Sequence, residues 1–299
     1  MTGTAAALLL LAALLAWPVP VALARATWPD RDPVLALLCW QAVGLAGGLA
    51  LIGAPLVFGL APWGTTLPDA VAAFVTSSPP VAAGVEHWAA LGIAAVIAGR
   101  LVTVLVASGV RIARVRARHR ALLRVVTREG QPNGVNIVDI AEMVAFCLPG
   151  GPPMIVLSAG IVAELDHAEL SAVVAHERAH LIERHHLFLL PFVAWHRALP
   201  WVPATGRARV AVHDLVELRA DDRAARVAGR DALARAIARF GTAVAVPGGA
   251  LAIHGGVTAT RVARLLEPPR PLPWPVRVAV LASALALLLV PTALLLFTT

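Results

Sequence analysis

Two histidines four residues apart enclose an acid in the run His176-Glu177-Arg178-Ala179-His180. On an α-helix, residues four apart differ by about 40° around the axis. Both imidazoles then point the same way, one turn apart, and can bind one metal ion. Glu177 lies between them, within reach of a water on that ion. The residue types suit metal-assisted hydrolysis, with two neutral nitrogen donors and a carboxylate that can take a proton. The plain alternative is a charged helix face with satisfied histidines.

A catalytic zinc site wants a third protein ligand and an open fourth position. Glu217, in Val216-Glu217-Leu218-Arg219-Ala220-Asp221, is the best candidate. Asp221 shares its helical face and is placed to orient a ligand imidazole. On spacing alone, Glu217 reads equally well as an exposed acid among Arg219, Arg223 and Arg226. His213, four before Glu217, offers a second conceivable metal pair. His185 and His186 read as ordinary polar helix residues, and Asp214 and Asp222 as solvated. His87, His119, His167 and His196 show no partner pattern.

These residues need helices to hold them. Asp166 followed by Glu169 has the form of a capping box. It opens a helix carrying Leu170, Val173, Val174, Glu177, Leu181 and Arg184, which Pro191 is expected to kink or end. A second helix is expected over about Arg209 to Ala228, stopping near Gly229, and a third from Asp231 to about Val244, broken by Pro247-Gly248-Gly249. Upstream, Gly130 to Gly134 is turn-rich. Val135 to Val138, Glu142 to Leu148 and Met154 to Ser158 suit three short strands.

Composition places this machinery at a membrane. Of the 299 residues, 59% are hydrophobic and 14% charged, against about 45–50% and 25% in soluble domains. Four stretches can cross a bilayer, which takes ~20 apolar residues: about 2–24, 35–60, 88–110 and 276–299. The first lacks the positive n-region of a signal peptide, so it reads as a retained span. All 25 basic residues are Arg, and Tyr is absent. Arg25 and Arg31 follow the first span, Arg111 to Arg128 follow the third, and Arg270 and Arg277 precede the fourth, whereas residues 61–87 hold none. The positive-inside rule then puts 111–275 in the cytoplasm and both termini outside. Juxtamembrane arginines serve anionic headgroups, so no nucleic-acid partner is expected. Arg100, inside the third span, has no assigned role. Cys39 and Cys147 form neither a disulfide framework nor a CxxC metal site.

His176 to His180, the later Glu217 to Asp221, and Ile155 to Gly160 leading into Asp166 together resemble the BlaR/MecR-type membrane zinc metallopeptidases. The likeness extends to the order of spans. It implies a mainly α integral membrane protein with four transmembrane helices and a small α+β zincin-like cytoplasmic domain between the third and fourth. It implies one Zn2+ per chain on His176, His180 and Glu217, with Glu177 as catalytic base. The sensor members carry a penicillin-binding domain after the fourth span. This sequence runs to Thr298-Thr299 without one, so direct penicillin sensing is not expected. Many zinc peptidases stabilise the oxyanion with Tyr or His. Without Tyr, the candidates are His213, His254, Arg219 and Arg223.

The expected activity is an integral-membrane zinc endopeptidase acting on a protein substrate, including a cytoplasmic transcriptional repressor among possible partners beside the lipid bilayer. An HtpX/CAAX-type membrane protease also uses HExxH with a later Glu and Asp. A non-catalytic receptor with a vestigial zinc domain is the third reading, against which the intact Glu177 argues.

Overall fold

In the computed structural model, residues 1–126, 134–243 and 251–297 are described. The expected turn at Gly130 to Asn133 and the breaker Pro247-Gly248-Gly249 lie outside them. The chain is mainly helical, with four long apolar helices and a small α+β region between the third and fourth. It divides into two compact units, one of Met1–Ser108, Leu190–Val212 and Leu272–Thr299, the other of Gly109–Leu189 and His213–Pro271.

The first unit contains the spans. Helices α1 (Thr2–Ala16) and α2 (Pro18–Arg25) together form the first, separated at Trp17, where Pro18 starts a new helix. Helix α3 (Pro33–Leu60) begins on Asp32, whose carboxylate accepts from Leu35 N–H at 3.2 Å. Ala5, Ala12, Ala50 and Ala54 pack α1 on α3. Small residues let two spans approach closely where lipid offers no hydrophobic drive. Helix α12 (Trp274–Phe297) runs parallel to α3: Arg277 pairs with Asp32 at 3.1 Å at one end, Ala284 packs with Cys39 and Ala42 midway, and Leu295 lies against Gly53 further along.

Residues 61–87, between the second and third expected spans, hold a short helix. Helix α4 (Leu67–Thr76) is capped by Thr66, which accepts from Asp69 N–H at 3.3 Å. At this end Trp63 meets Phe74 and Trp88 edge-on, and Phe58 stacks on His87. Aromatic rings of this kind favour the bilayer interface. Helix α5 (Val85–Val126) contributes Val85–Ser108 to this unit and its remainder to the other.

The second unit is built on a three-stranded sheet in the order β1-β3-β2. The central strand β3 (Met154–Ser158) is buried throughout, with β1 (Val135–Val138) parallel and β2 (Ala145–Leu148) antiparallel to it. Strand β2 starts later than expected because Val144 N–H turns aside to the Ser158 hydroxyl at 3.0 Å. The same oxygen accepts from Ile161 N–H and caps α6 (Ala159–Glu164). Gly160 sits so close to the Ala141 carbonyl that no side chain fits there.

Helix α7 (His167–Ile182) follows, opened by the expected capping box of Asp166 and Glu169. The Glu169 side chain is fully buried and meets Arg235 and Arg239 of α10 (Arg230–Ala243), each at 3.3 Å. That pairing offsets the cost of burying its charge.

Helix α7 does not continue to Pro191. It stops at Ile182, and Arg184 takes a left-handed conformation with φ 50°. A new helix, α8 (His185–Ala198), contains Pro191 within it. Helix α9 (Pro203–Ala228) starts six residues earlier than expected, on Pro203, and ends at Gly229, φ 89°. Helix α11 (Leu251–Leu266) packs on α10. The expectation of 111–275 as one segment places Leu190–Val212 with the metal-binding residues, but by contact this stretch groups with the spans.

Candidate metal centre

Helix α7 presents His176 and His180 from one face, and α9 presents Glu217 towards them. The two Nε2 atoms are 3.1 Å apart. The nearest Glu217 oxygens lie 3.4 Å from His176 Nε2 and 3.4 Å from His180 Nε2. Zinc bonds of about 2.0 Å in a tetrahedron place neighbouring ligand atoms about 3.3 Å apart. The imidazole separation is close to that edge; the two 3.4 Å approaches come from different Glu217 oxygens, Oε2 towards His176 and Oε1 towards His180, and one ligand atom from each residue lies within 4.8 Å of the others.

Hydrogen bonding further out decides which nitrogens face inward. His185 Nε2 lies 3.2 Å from Glu183 Oε2, so its N–H donates there. Its Nδ1 is then an acceptor, 2.9 Å from His180 Nδ1, which must donate to it. His180 Nε2 is left with a lone pair. His176 Nδ1 lies 3.0 Å from Asp221 Oδ1. The approach has ion-pair length without hydrogen-bond alignment, and Nδ1 has no other partner among the described residues. With that proton facing Asp221, His176 Nε2 also carries a lone pair. Two lone pairs and a carboxylate converging in a buried pocket repel one another unless a cation sits among them. The donor set fits zinc.

Electrostatics agree with the geometry. Burial works to lower the His176 pKa, but Asp221 and Glu217 outweigh it and raise it to about 9. Burial together with its cationic neighbours lowers His180 to about 4, against the pull of Glu217. Burial alone would raise Glu217, yet His176, Arg261 and His180 hold it well below the usual carboxylate range.

Glu177 is half-buried on the same turn as His176. Burial raises its pKa, which suits a group that must both take and return a proton. Beside it is Cys147, on edge strand β2 within the stretch expected to be a strand. Burial, then the Glu177 carboxylate, push this thiol up to about 12, so it stays protonated and unreactive.

Of the outer candidates, Asp221 is where expected, buried against His176. Arg219 and Arg223 are turned instead to Glu183, at 2.8 Å and 3.0 Å. The acid attracts them away from the converging ligands. His213 is exposed and lies 3.5 Å from Asp214. Its pKa is raised, first by that hydrogen bond. The His254 side chain lies outside the described residues.

Three functional residues are not evident from sequence. His185, which reads as a polar helix-face residue, is 2% exposed and backs His180. Glu183 fixes His185 and collects both arginines. Arg261, from α11, grips Asp221 through two 2.7 Å bonds and reaches Glu217 at 3.2 Å. Asp222, which reads as solvated, is likewise paired with Arg264 at 2.6 Å. Only the acidic spacing Glu217-x-x-x-Asp221 hints that a cation must face it; nothing in the sequence points to position 261.

Among the described residues, His176, His180 and Glu217 are the one group of potential ligands converging on a point. No curated protein and no solved structure is matched by the chain. Residues 111–200 match the family model of Peptidase family M48. Glu217, Asp221 and Arg261 lie beyond the matched stretch, so their place rests on the geometry. Over residues 111–200 the chain is similar to the M48 peptidases, and His176, His180 and Glu217 form the candidate site of a zinc metalloendopeptidase.

Proposed function

We propose that this chain is an integral-membrane zinc endopeptidase of regulated proteolysis, with a cytoplasmic peptidase domain drawn from residues 111–189 and 213–275 and both termini outside. The observation that carries the reading is the convergence of two imidazole lone pairs and one carboxylate beside a half-buried Glu177. His176, His180 and Glu217 hold the metal. Zinc, when bound, supplies Lewis acidity towards a water and a scissile carbonyl. Glu177 takes the proton of the attacking water and passes it to the leaving nitrogen. Asp221 and His185 keep the two imidazoles in register. Of the oxyanion candidates, His213 stays open to the role, since Arg219 and Arg223 are engaged with Glu183.

The substrate is a protein, and a cytoplasmic transcriptional repressor is the partner that the BlaR/MecR-like order of spans and motifs suggests. The HtpX/CAAX-type reading gains from a single observation: Leu190–Val212, after the zinc motif, groups with the spans.

The test is zinc per chain and cleavage of an unfolded protein substrate by detergent-purified wild type, Glu177→Gln and Glu217→Ala. The expected result is one zinc in wild type and in Glu177→Gln, cleavage in wild type alone, and zinc sharply reduced in Glu217→Ala. A Glu177→Gln variant with full proteolysis, or a wild type that takes up no zinc, overturns the proposal.

A further inference from the structure

Residues 190–212 follow the helix of the zinc motif, yet they pack among the spans. Phe192 meets Trp40 of α3 edge-on at 6.5 Å. A Cβ placed on Gly44 would stand 3.8 Å from Phe192, and one on Gly48 would stand 3.1 Å from Trp195. The contacts therefore climb α3 from Trp40 to Gly48 as α8 runs from Phe192 to Trp195. At 1.5 Å per residue, Gly48 lies roughly 22 Å along α3 from Pro33. The hydrocarbon core of a bilayer is about 30 Å thick. Trp195 thus reaches beyond the middle of the span without traversing it.

Arg100 on α5 gives the same depth, roughly 16 Å from the level of Arg111. Its Nε donates to the Ala198 carbonyl at 2.7 Å, and its guanidinium stands over the Trp201 ring at 5.2 Å. Arg197 donates to the Ser108 hydroxyl at 3.2 Å. The Thr205 hydroxyl lies 2.8 Å from the Val202 carbonyl and 3.2 Å from that of Leu199. A helix that ends inside hydrocarbon leaves carbonyls with no water to satisfy them. Arg100 and Thr205 supply the donors. An arginine in the third span, without a role in the sequence, is what a helix end at that depth requires.

Between this segment and helices α1 and α3 is a cavity of about 230 Å³, walled by Leu15, Trp40, Val43, Gly47, Phe192 and Trp195 among others. Among the described residues, Thr205 brings the only side-chain hydroxyl to its wall, and that group is engaged at the helix end. A peptide bound there would leave backbone groups unpaired in a hydrocarbon setting, which is strongly unfavourable. A hydrocarbon chain has no such groups, and at this depth acyl chains are the surrounding solvent.

We propose that Leu190–Val212 is a helical hairpin that enters and leaves the bilayer on one side, and that the cavity it closes against α1 and α3 binds the acyl chain of a bilayer phospholipid. The inference rests on the membrane spans and is independent of the peptidase chemistry. Both arms are continuous in chain with the metal centre, since α8 starts at His185 and α9 carries Glu217.

The experiment uses full-length protein in nanodiscs of phosphatidylcholine bearing a diazirine midway along one acyl chain. After irradiation, labelled peptides are mapped by mass spectrometry. The expected adducts fall within 192–204. Ala16→Trp, which fills the cavity from an exposed position on α1, lowers them several-fold. Ala204→Leu, from the opposite wall, does the same. Labelling of α5 around the exposed Ile93 and Val96 stays unchanged in both variants. Adducts in 192–204 that both filled variants leave intact overturn the site, as does their absence while α5 is labelled. In a Cys39→Ala, Cys147→Ala background, Trp201→Cys should resist a membrane-impermeant maleimide in the nanodisc and react in denaturant. Rapid reaction in the nanodisc overturns the hairpin.

Discussion

The two candidate ligand histidines sit one turn apart on α7 and are supported in different ways. His176 is backed by a charged pair from two other helices, Asp221 of α9 and Arg261 of α11. His180 is backed by a neutral imidazole three residues past the end of its own helix, His185, which leans on Glu183. The charged side raises His176 to about 9, whereas His180 falls to about 4. One site therefore holds an imidazole that wants a proton beside one that refuses it. A single cation satisfies both, because it replaces the proton on the first and needs no desolvated proton on the second.

Breaking the charged side should cost the most. Asp221→Ala leaves Arg261 half-buried with Glu217 as its one ion-pair partner among the described residues. Removing one member of a buried pair costs about 3–5 kcal/mol, and outer partners of metal ligands are worth ~10–100-fold in affinity. A competition titration with a zinc chelator should place Asp221→Ala near the upper end of that range, with a lower Tm. An unchanged affinity would mean that His176 needs no support.

Arg261→Gln probes the same side more finely. It keeps a donor near Asp221 but removes the charge that also steadies Glu217. Zinc affinity should fall about 10-fold, the lower end of the outer-partner range, and Arg261→Lys should recover part of it. Equal loss in both variants would assign Arg261 to packing alone.

On the neutral side, His185→Phe keeps the volume and removes the acceptor for His180 Nδ1–H. The expected loss in zinc affinity is also about 10-fold, at the low end for outer partners. A loss matching Asp221→Ala would erase the asymmetry between the two sides.

The two sides also separate by pH. In the metal-free protein the His176 pKa is raised above its unfolded value of about 6.5. The stability it contributes is fully present below about pH 6.5 and is lost as pH rises towards about 9. Thermal melts of the metal-free chain should therefore show Tm falling across that window. With zinc bound, the proton is already displaced, and the fall should disappear. The same decline with zinc bound would place the titration elsewhere.

A slighter change tests the joint between the sides. Arg184 has φ 50° where α7 gives way to α8. Glycine adopts this conformation without a Cβ clash, so Arg184→Gly should stabilise the fold by about 1 kcal/mol. A loss of stability in denaturant melts would show that the Arg184 side chain contributes more than its backbone costs.

Much of this centre is legible in the sequence because local periodicity fixes it. His176 and His180 share a face on any helix, and the capping box of Asp166 and Glu169 guarantees one there. The Glu217-x-x-x-Asp221 spacing works the same way on α9. The spans are legible because crossing hydrocarbon imposes ~20 apolar residues. Pro191 misleads because proline is tolerated inside α8, while the break that ends α7 is a backbone turn at an arginine, a residue type that does not announce it.

Repeats along single helices thus specify the candidate ligand pair, the carboxylate between them, the acid that follows and the four apolar spans. Packing in three dimensions settles the rest. His185 stands behind His180, Arg261 closes on Asp221 across 40 positions, Arg219 and Arg223 turn to Glu183, and Leu190–Val212 joins the spans. Those outcomes depend on pairing charges and filling volume between segments distant in sequence. A periodicity of 3.6 residues has no memory over such separations.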